Sequence, residues 1–274
     1  RQGPSHVPLP IVVAVHCPAT VLRKDPEGDA PPLLEGFVWV TGFGPRLTPR
    51  NPEQRKGWVP PVQLVQTGLV EDPERLTIRK WTAARWLALH PEWELMTCSD
   101  GAPDGPFNRS RAVNSCVKFT DAEVVLIADS DIAVRHGQAQ EMVDLLEAGA
   151  PWVVGYRTMI HLRSGATRDL LREPVDTFTP SQATNGAVRW ASIESVCGLV
   201  ALRREDYLTI GGNDERFTGW GWEDTSFAMK ADTLLGERVR ADGTCIHLFH
   251  ELRPDRKRDA EARANCALGE RYAA

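Results

Sequence analysis

The stretch VVLIADSD at residues 124–131 decides the fold class of this chain of 274 residues. Its first five residues are apolar, and an unbroken apolar run of this length predicts a strand that is buried on both faces. The run ends directly in Asp129, Ser130 and Asp131. Ligands of open α/β sheets bind beyond the carboxyl ends of the strands, so the stretch also predicts a binding site at these two carboxylates.

Further strands and helices alternate on both sides of this strand. Asp72, a capping carboxylate, precedes Pro73 and predicts the start of a helix that runs to about His90. Strands are predicted at 11–15, 37–41, 94–97 and 152–155, an extended segment at 196–202, and helices at 108–119, 137–148, 204–210, 222–235 and 259–272. This alternation indicates a mostly parallel central sheet flanked by helices. No linker interrupts it, so we expect one α/β domain over residues 1–274.

The composition excludes several classes of protein. The chain has 37 acidic and 32 basic residues and a net charge of −5, so it lacks the broad positive surface that holds nucleic acid. No apolar run reaches the roughly 18 residues of a membrane-spanning helix, so no membrane is expected. The six cysteines are scattered singly, which is typical of a reducing compartment. We expect a cytoplasmic protein of bacterial or viral origin, with a trimmed Golgi-type enzyme as the alternative.

Two groups of side chains have the chemistry of metal ligands. Asp129 and Asp131 offer hard oxygen atoms, which suit Mg²⁺ or Mn²⁺ bound to a diphosphate. His247 and His250 lie three residues apart and converge on one ion if the backbone bends between them, and an imidazole beside a carboxylate suits Mn²⁺ better than Mg²⁺. Each group also has a plain interpretation, the first as a polar turn that caps a helix and the second as two ordinary histidines.

The segment GWGWED at residues 219–224 combines residues that suit sugar chemistry. Glycine allows tight backbone turns, and tryptophan offers the flat apolar face on which sugars stack. A carboxylate beside it, Glu223 or Asp224, is able to accept a proton from a hydroxyl group. The same acids also suit a helix start, where they complement the helix dipole. Another helix start, at Phe107, Asn108 and Arg109, predicts either a phosphate or nucleobase contact or a plainly capped helix.

Taken together, these segments resemble the metal-dependent β-1,4-galactosyltransferases of the GT-A fold. Residues 107–109, Asn114 and 129–131 are similar to that family's FNRAK…N…DxD stretch, residues 197–212 to its GGVSAL…FLxINGF segment, 219–224 to its GWGGED motif, and 245–257 to its CxMIRHSRDKK ending. The resemblance runs over more than half of the chain. It implies a Rossmann-like GT-A fold with a nucleotide-binding half at about 1–131 and an acceptor-binding half at about 132–274. Polypeptide N-acetylgalactosaminyltransferases share a similar GWGxED segment.

The resemblance also implies roles for single residues. Asp131, His247 and His250 would bind Mn²⁺, with Mg²⁺ as the alternative. Asp224 would be the catalytic base, and Glu223 would bind the acceptor. The nucleotide-binding set would comprise Phe107, Arg109, Asp129, Asp131, Gly198 and Trp220, the last as a mobile side chain that closes over the donor. The loop at 251–259 would fold over the bound donor.

Some positions depart from the family pattern. Trp222 replaces the second glycine of GWGGED and is expected to narrow the acceptor pocket. Ser195 lies near an aromatic position that restricts the donor sugar, and a small serine would admit a 2-acetamido group. The donor sugar therefore stays open between galactose and N-acetylgalactosamine types. The N-terminal third matches poorly, since His16 and the residues after it fit the nucleotide signature only in part.

The function that these residues predict is transfer of a hexose or N-acetylhexosamine from a UDP-sugar to an acceptor hydroxyl, with inversion. The alternatives are a retaining enzyme closer to the N-acetylgalactosaminyltransferases, a nucleotidyltransferase, and a non-catalytic module that binds UDP or a glycan. The acceptor stays open among a glycan, a small molecule, a protein and a modified nucleic-acid base, although the acidic balance fits the last poorly. The basic cluster of Arg253 and residues 256–258 also fits a solvated loop.

Overall fold

A computed structural model gives the fold of the chain. The structure describes residues 73–91, 93–97, 108–176, 188–193, 195–196, 198–219, 221–251 and 260–273, together with the backbone of 11–16. The strand predicted at 37–41 and most of the loop predicted at 251–259 lie outside the described residues.

Ten strands and seven helices make up the described part of the chain. The strands are β1 (Ile11–His16), β2 (Glu94–Thr97), β3 (Val124–Asp129), β4 (Ile132–Ala133), β5 (Trp152–Val154), β6 (Thr158–Leu162), β7 (Val188–Ile193), β8 (Leu199–Arg203), β9 (Val239–Arg240) and β10 (Thr244–His247). The helices are α1 (Pro73–Leu89), α2 (Arg109–Phe119), α3 (Gln138–Glu147), α4 (Ser164–Leu170), α5 (Arg204–Thr209), α6 (Glu223–Leu234) and α7 (Ala260–Ala273).

The larger sheet has six strands in the order β2-β1-β3-β8-β5-β9. Parallel pairing joins β1 to β2 and β3, and β5 to β9. Strand β8 is antiparallel to both of its neighbours, β3 and β5, so the other five strands run in one direction. The prediction of an α/β fold with a mostly parallel central sheet is therefore confirmed, and the reversed strand is an addition to it.

The smaller sheet has four strands in the order β4-β10-β6-β7. Strand β4 begins directly after Asp131 and pairs with β10, where Ile132 lies opposite His247. The chain thus crosses from the larger sheet to the smaller one through two residues, Ser130 and Asp131. This crossing brings the acidic segment and the histidine segment to the same edge.

Apolar side chains from both faces bury the central strand. Residues 124–128 of β3 are at most 3% exposed, as the unbroken apolar run predicts. They share one core cluster with side chains of α1, α2, α3 and α6. A second cluster joins α1 to the smaller sheet through Ile78, Trp81 and Ile246. Helix α1 therefore packs on both sheets, next to the place where the chain crosses between them.

Most of the predicted elements are confirmed within one or two residues. The predicted helices at 72–90, 108–119, 137–148, 204–210, 222–235 and 259–272 correspond to α1, α2, α3, α5, α6 and α7. Five strands, β4, β6, β7, β9 and β10, were not predicted, because they are short or mix polar and apolar residues without a clear alternation. Within the described residues, no helix combines the length and the apolar character that a membrane crossing requires. Cys116 is disulfide-bonded, which differs from the expectation of single thiols.

Candidate active site

Three predicted metal ligands lie together where the chain crosses between the sheets. Nε2 of His250 is 3.1 Å from Oδ2 of Asp131, and Nε2 of His247 is 3.7 Å from Oδ1 of the same carboxylate. One ligand atom from each of the three side chains lies within 4.8 Å of the other two. The side chains are 11–24% exposed, so the cluster is mostly shielded from solvent but not sealed from it.

Backbone hydrogen bonds hold this cluster in place. The amide of Leu248 donates to the carbonyl of Asp131 at 2.9 Å, directly after the pairing of Ile132 with His247. Strand β10 ends at His247, and the chain then leaves the sheet so that His250 returns to the same carboxylate. The pairing of β4 with β10 is therefore what brings distant parts of the sequence to one point.

The donor set fits a divalent transition metal. One carboxylate and two imidazoles are a common set of protein ligands for Mn²⁺ and its neighbours, whereas Mg²⁺ prefers oxygen atoms alone. Three ligands from the protein leave coordination positions for oxygen atoms of a substrate or of water. The chemistry and the spacing of Asp131, His247 and His250 thus agree with the predicted metal site.

A third histidine lies beside these ligands. His161 on β6 is in register with His247 on the neighbouring strand β10. The centroids of their two rings are 4.6 Å apart, and the ring planes are inclined by 30°. No local signal in the sequence indicates this residue, because the contact depends on the pairing of two strands that the sequence does not predict.

An arginine of α1 contacts the cluster from the other side. Nη2 of Arg75 lies 2.7 Å from Nδ1 of His250 and 3.2 Å from the carbonyl oxygen of Glu251. Arg75 occupies the first turn of its helix, where no local pattern indicates function. Only the packing of α1 against both sheets shows that this side chain reaches the predicted metal ligands.

Arg109 connects the acidic segment to the predicted catalytic base. Its Nε and Nη2 donate to Oδ1 of Asp129 at 3.1 and 2.9 Å, and its Nη1 donates to Oδ1 of Asp224 at 2.7 Å. The arginine side chain is 8% exposed, and each carboxylate is 23% exposed. A buried guanidinium between two carboxylates fixes their separation, because each bond is charge-assisted. The predicted contact of Arg109 with UDP stays a prediction.

The environment of Asp224 changes its acidity. Burial raises the pKa of this carboxyl to about 7, with a further rise from the negative charges of Glu223 and Asp129, although Arg109 acts in the opposite direction. Burial also raises the pKa of Glu223. Both acids lie in the first turn of α6, where the helix dipole favours their charged forms. A carboxyl group with a pKa near neutrality is well matched to general base catalysis.

The segment before α6 has an unusual backbone. Gly219, Gly221 and Trp222 all have positive φ angles, of 71°, 105° and 72°. Helix α7 holds the start of this segment, since Asn265 accepts a hydrogen bond from the amide of Thr218 at 3.3 Å and donates to its carbonyl at 2.8 Å. The position of Glu223 and Asp224 thus depends on α7 as well as on α6.

Trp222 packs against helix α7. A methyl group at Gly269 would overlap the indole ring of Trp222, so the two residues are in direct contact. The structure gives this side chain a packing role, and the narrowing of an acceptor pocket stays a prediction. The glycine of α7 leaves the space that the large ring needs.

Two asparagines, one at the start of α2 and one in its middle, hold the helix that carries Arg109. Asn108 caps the helix, accepting from the amide of Arg111 at 2.8 Å, and its Nδ2 donates to the carbonyl of Glu215 at 2.7 Å. The buried side chain of Asn114 accepts from the amide of Asn213 at 2.9 Å and donates to the carbonyl of the same residue at 2.9 Å. The motif asparagines therefore connect α2 to the segment that leads into α6.

Gly198 supports the acidic segment through its backbone. Its carbonyl accepts a hydrogen bond from the amide of Asp129 at 2.9 Å. It has a φ of 88°, and a Cβ there would lie 2.8 Å from Cε of Met159. Its predicted contact with the nucleotide stays a prediction. Phe107, Trp220 and residues 252–259, including the basic cluster, lie outside the described residues.

Comparison with known proteins supports a glycosyltransferase. Residues 183–251 match the family model described as "N-terminal domain of galactosyltransferase". The chain is also 27% identical over 191 residues to the O-antigen biosynthesis protein RfbC of Myxococcus xanthus. This alignment covers 62% of the chain and 14% of the length of that relative. The family match includes the predicted base and both predicted histidine ligands.

Two solved structures illustrate the similarity in three dimensions. Glucosyl-3-phosphoglycerate synthase from Mycobacterium tuberculosis, in complex with Mn²⁺ and UDP-glucose, is 11% identical, with a TM-score of 0.49 over 100% of this chain and 85% of that one. The catalytic domain of Drosophila β-1,4-galactosyltransferase 7, in complex with xylobiose, is 16% identical, with a TM-score of 0.38 over 63% of this chain and 61% of that one.

Proposed function

We propose that this chain is a metal-dependent GT-A glycosyltransferase that moves a hexose or N-acetylhexosamine from a UDP-sugar to an acceptor hydroxyl with inversion. One observation carries the proposal. A carboxylate–imidazole cluster of Asp131, His247 and His250 lies at the strand end that also presents Asp129, and Arg109 connects Asp129 to the acidic group Asp224. The site therefore combines ligands for a metal that serves the leaving group with a carboxyl group that serves the attacking hydroxyl.

The leaving group of the reaction is a nucleoside diphosphate, which carries negative charge. Asp131, His247 and His250 would hold Mn²⁺ beside it, and this ion supplies the positive charge that stabilises the departing diphosphate. Asp129, two residues before Asp131, accepts a hydrogen bond from Arg109 at 2.9 Å. This bond holds the guanidinium at the strand end that carries the predicted metal ligand Asp131.

The attacking group is a hydroxyl, which loses its proton as the new glycosidic bond forms. Asp224 would take this proton. Its pKa of about 7 makes the carboxylate basic enough to accept it and leaves a large fraction ionised at neutral pH. The bond with Arg109 orients the carboxylate, and the neighbouring Glu223 would bind the acceptor. A base opposite the leaving group favours inversion of the anomeric carbon.

Water has to be kept from the donor, because it would otherwise hydrolyse the sugar–phosphate bond. The glycines at 219 and 221 allow the tight turns of the segment that leads to α6. We assign the closure over the donor to this segment and to Trp220. The nucleotide-binding and acceptor-binding halves would meet at about residue 131.

The test measures release of UDP from UDP-galactose, UDP-N-acetylgalactosamine and UDP-glucose, with Mn²⁺, with Mg²⁺ and with a chelator. The partial match to an O-antigen biosynthesis protein makes saccharides the first acceptors to offer. Transfer that depends on metal and is lost in Asp224→Asn supports the proposal, and the anomeric proton of the product reports inversion or retention. UDP binding without turnover in any combination would indicate a binding module, and release of pyrophosphate would indicate a nucleotidyltransferase.

A further inference from the structure

The imidazole of His250 has close polar neighbours at both of its nitrogens. Nε2 faces Oδ2 of Asp131 at 3.1 Å. Nδ1 faces two groups of opposite character: Nη2 of Arg75 at 2.7 Å and the carbonyl oxygen of Glu251 at 3.0 Å. Because the side chain is only 11% exposed, these neighbours decide which ring nitrogen carries the proton.

The contact with Arg75 selects one tautomer of the ring. A guanidinium group only donates hydrogen bonds, so Nδ1 accepts from Arg75 and carries no proton. A neutral ring then has its proton on Nε2, which lies 3.1 Å from Oδ2 of Asp131. Nη2 also donates to the carbonyl of Glu251 at 3.2 Å, so this one nitrogen of Arg75 meets two acceptors.

Metal binding requires the other tautomer. Nε2, the nitrogen that faces Asp131, has to present a lone pair to the ion, so the proton of the neutral ring moves to Nδ1. A proton on Nδ1 suits the carbonyl of Glu251, and a backbone carbonyl is a usual partner of a metal-bound histidine. It conflicts with Arg75, because two donors would then face each other at 2.7 Å.

We propose that Arg75 competes with the metal for His250, and that Arg75 binds the diphosphate of the donor once the metal is in place. Metal binding and nucleotide binding are thereby coupled. This inference rests on the proposed function. An ion at the cluster leaves the guanidinium beside a second positive charge and without its imidazole partner. Phosphate oxygens bound to that ion are the group that a guanidinium pairs with best. Metal and nucleotide therefore bind together more tightly than either binds alone, and the coupling is reciprocal.

The first experiment measures binding of Mn²⁺ alone, by electron paramagnetic resonance of the free ion. Arg75→Met removes the competing donor while it keeps most of the volume of the side chain. We expect this variant to bind Mn²⁺ about tenfold more tightly than the wild type, which is the effect of losing one charge-assisted hydrogen bond. Lys80→Met, which removes a positive charge from the same helix, is the matched control and leaves the affinity within a factor of two.

The second experiment measures binding of UDP at saturating Mn²⁺, by calorimetry. Because the diphosphate has lost its partner, Arg75→Met binds UDP about tenfold more weakly than the wild type, although it binds the metal better. The opposite signs of the two effects separate coupling from a general distortion of the site, which would weaken both. Equal affinity of the variant and the wild type for UDP would overturn the coupling.

A third measurement reads the tautomer directly. In metal-free protein, nitrogen-15 spectra of the histidine rings show the proton of His250 on Nε2 in the wild type and on Nδ1 in Arg75→Met. A simple loss of positive charge would not move this proton. An unchanged tautomer, or an unchanged affinity for Mn²⁺, overturns the competition. Failure of the proposed function looks different, since neither the wild type nor Lys80→Met would then bind UDP.

Discussion

Arg109 donates from Nη1 to Oδ1 of Asp224 at 2.7 Å, while the rest of the same guanidinium is bonded to Asp129. One buried cation thus separates two carboxylates that would otherwise repel each other. We expect Arg109→Met to lower the free energy of unfolding by about 1–3 kcal/mol at pH 7.5, because Asp129 and the ionised fraction of Asp224 lose a charge-assisted hydrogen bond. The loss should shrink at pH 5, where protonation removes the charge of Asp224.

Urea unfolding at pH 7.5 and pH 5 measures this effect. Arg111→Met is the control, because Arg111 lies on the same helix and its ion pair with Glu215, at 3.5 Å, is about 40% exposed on both sides. Removal of such a surface pair costs at most about 1 kcal/mol. If Arg109→Met is no less stable than Arg111→Met at pH 7.5, the arginine does not hold the two carboxylates together.

The raised pKa of Asp224 predicts a pH dependence of stability with a definite sign. The folded state binds this proton more tightly than the unfolded state, whose value is the ordinary 3.8. The stabilisation of the folded state by this bound proton is complete below about pH 4 and is lost as the pH rises through about 7. Asp224→Asn keeps an oxygen for Arg109 and removes the titration, so it should exceed the wild type in stability at pH 8 by on the order of 1–3 kcal/mol.

Unfolding of metal-free protein at pH 5 and pH 8 tests this sign. Asp214 supplies a control of opposite sign, because its bonds to Arg216 hold its pKa down to about 2. That stabilisation is present above pH 4 and is lost as the pH falls toward 2, so Asp214→Asn should lower stability at pH 8. Equal pH dependence of Asp224→Asn and the wild type would refute the raised pKa of Asp224.

The transferase activity should also depend on the ionisation of Asp224, but it should rise with pH where the stability falls. The base is effective only when it is ionised, so kcat should rise with pH through about 7. Asp224→Asn should lose transfer by at least about two orders of magnitude, since general base catalysis contributes 10²–10⁴-fold, while it still binds UDP. A profile that is flat between pH 6 and pH 8 would assign the proton to another acceptor.

His161 is expected to orient His247 by ring contact, since the ring centroids are 4.6 Å apart. His161→Phe keeps a flat ring beside the ligand, so its affinity for Mn²⁺ should stay within about a factor of three of the wild type, whereas His161→Ala should lose about tenfold or more. His247→Ala and His250→Ala are the reference variants, because each removes a predicted ligand and should shift the Mn²⁺ titration further. An equal loss in His161→Phe and His161→Ala would mean that a ring nitrogen of His161, rather than its ring plane, serves the metal.

The sequence predicts the central parts of the site better than their surroundings. Asp129 and Asp131 follow an apolar run, and Asp224 follows a glycine–tryptophan segment, so each has a local signal. The meeting of Asp131 with His247 depends on β4, a strand of two residues that has no periodicity to detect. Arg75 reaches the cluster only because α1 packs on both sheets, and this packing is a property of the whole fold.

Trp222 shows the same limit of sequence-based prediction at a single residue. Its φ of 72° is a left-handed backbone conformation that glycine adopts easily and that tryptophan rarely does. The packing of the indole ring on Gly269 of α7 offsets this strain. From the sequence, a tryptophan at the position of a family glycine suggests a change in the pocket, and that stays a prediction. What the sequence does not indicate is the contact of this ring with a helix that lies far along the chain.

This pairing makes a prediction that opposes helix propensity. Alanine favours a helix over glycine by about 1 kcal/mol, yet Gly269→Ala should lower the free energy of unfolding by about 1–3 kcal/mol, because the new methyl group overlaps the indole of Trp222. Trp222→Gly relieves the backbone strain but empties the space between α6 and α7. In the double variant the methyl group meets no ring, so the two effects should not add, and a coupling of about 1 kcal/mol or more is expected.

Urea unfolding of the wild type, both single variants and the double variant closes this cycle. Gly165→Ala in helix α4, where a Cβ meets nothing within 4 Å, is the control and should not lower stability. Since α7 also holds Thr218 through Asn265, Gly269→Ala should further reduce transfer by moving the segment that carries Asp224. Additive effects in the cycle would show that Trp222 and Gly269 contribute to stability independently, and that α7 docks on α6 by other contacts.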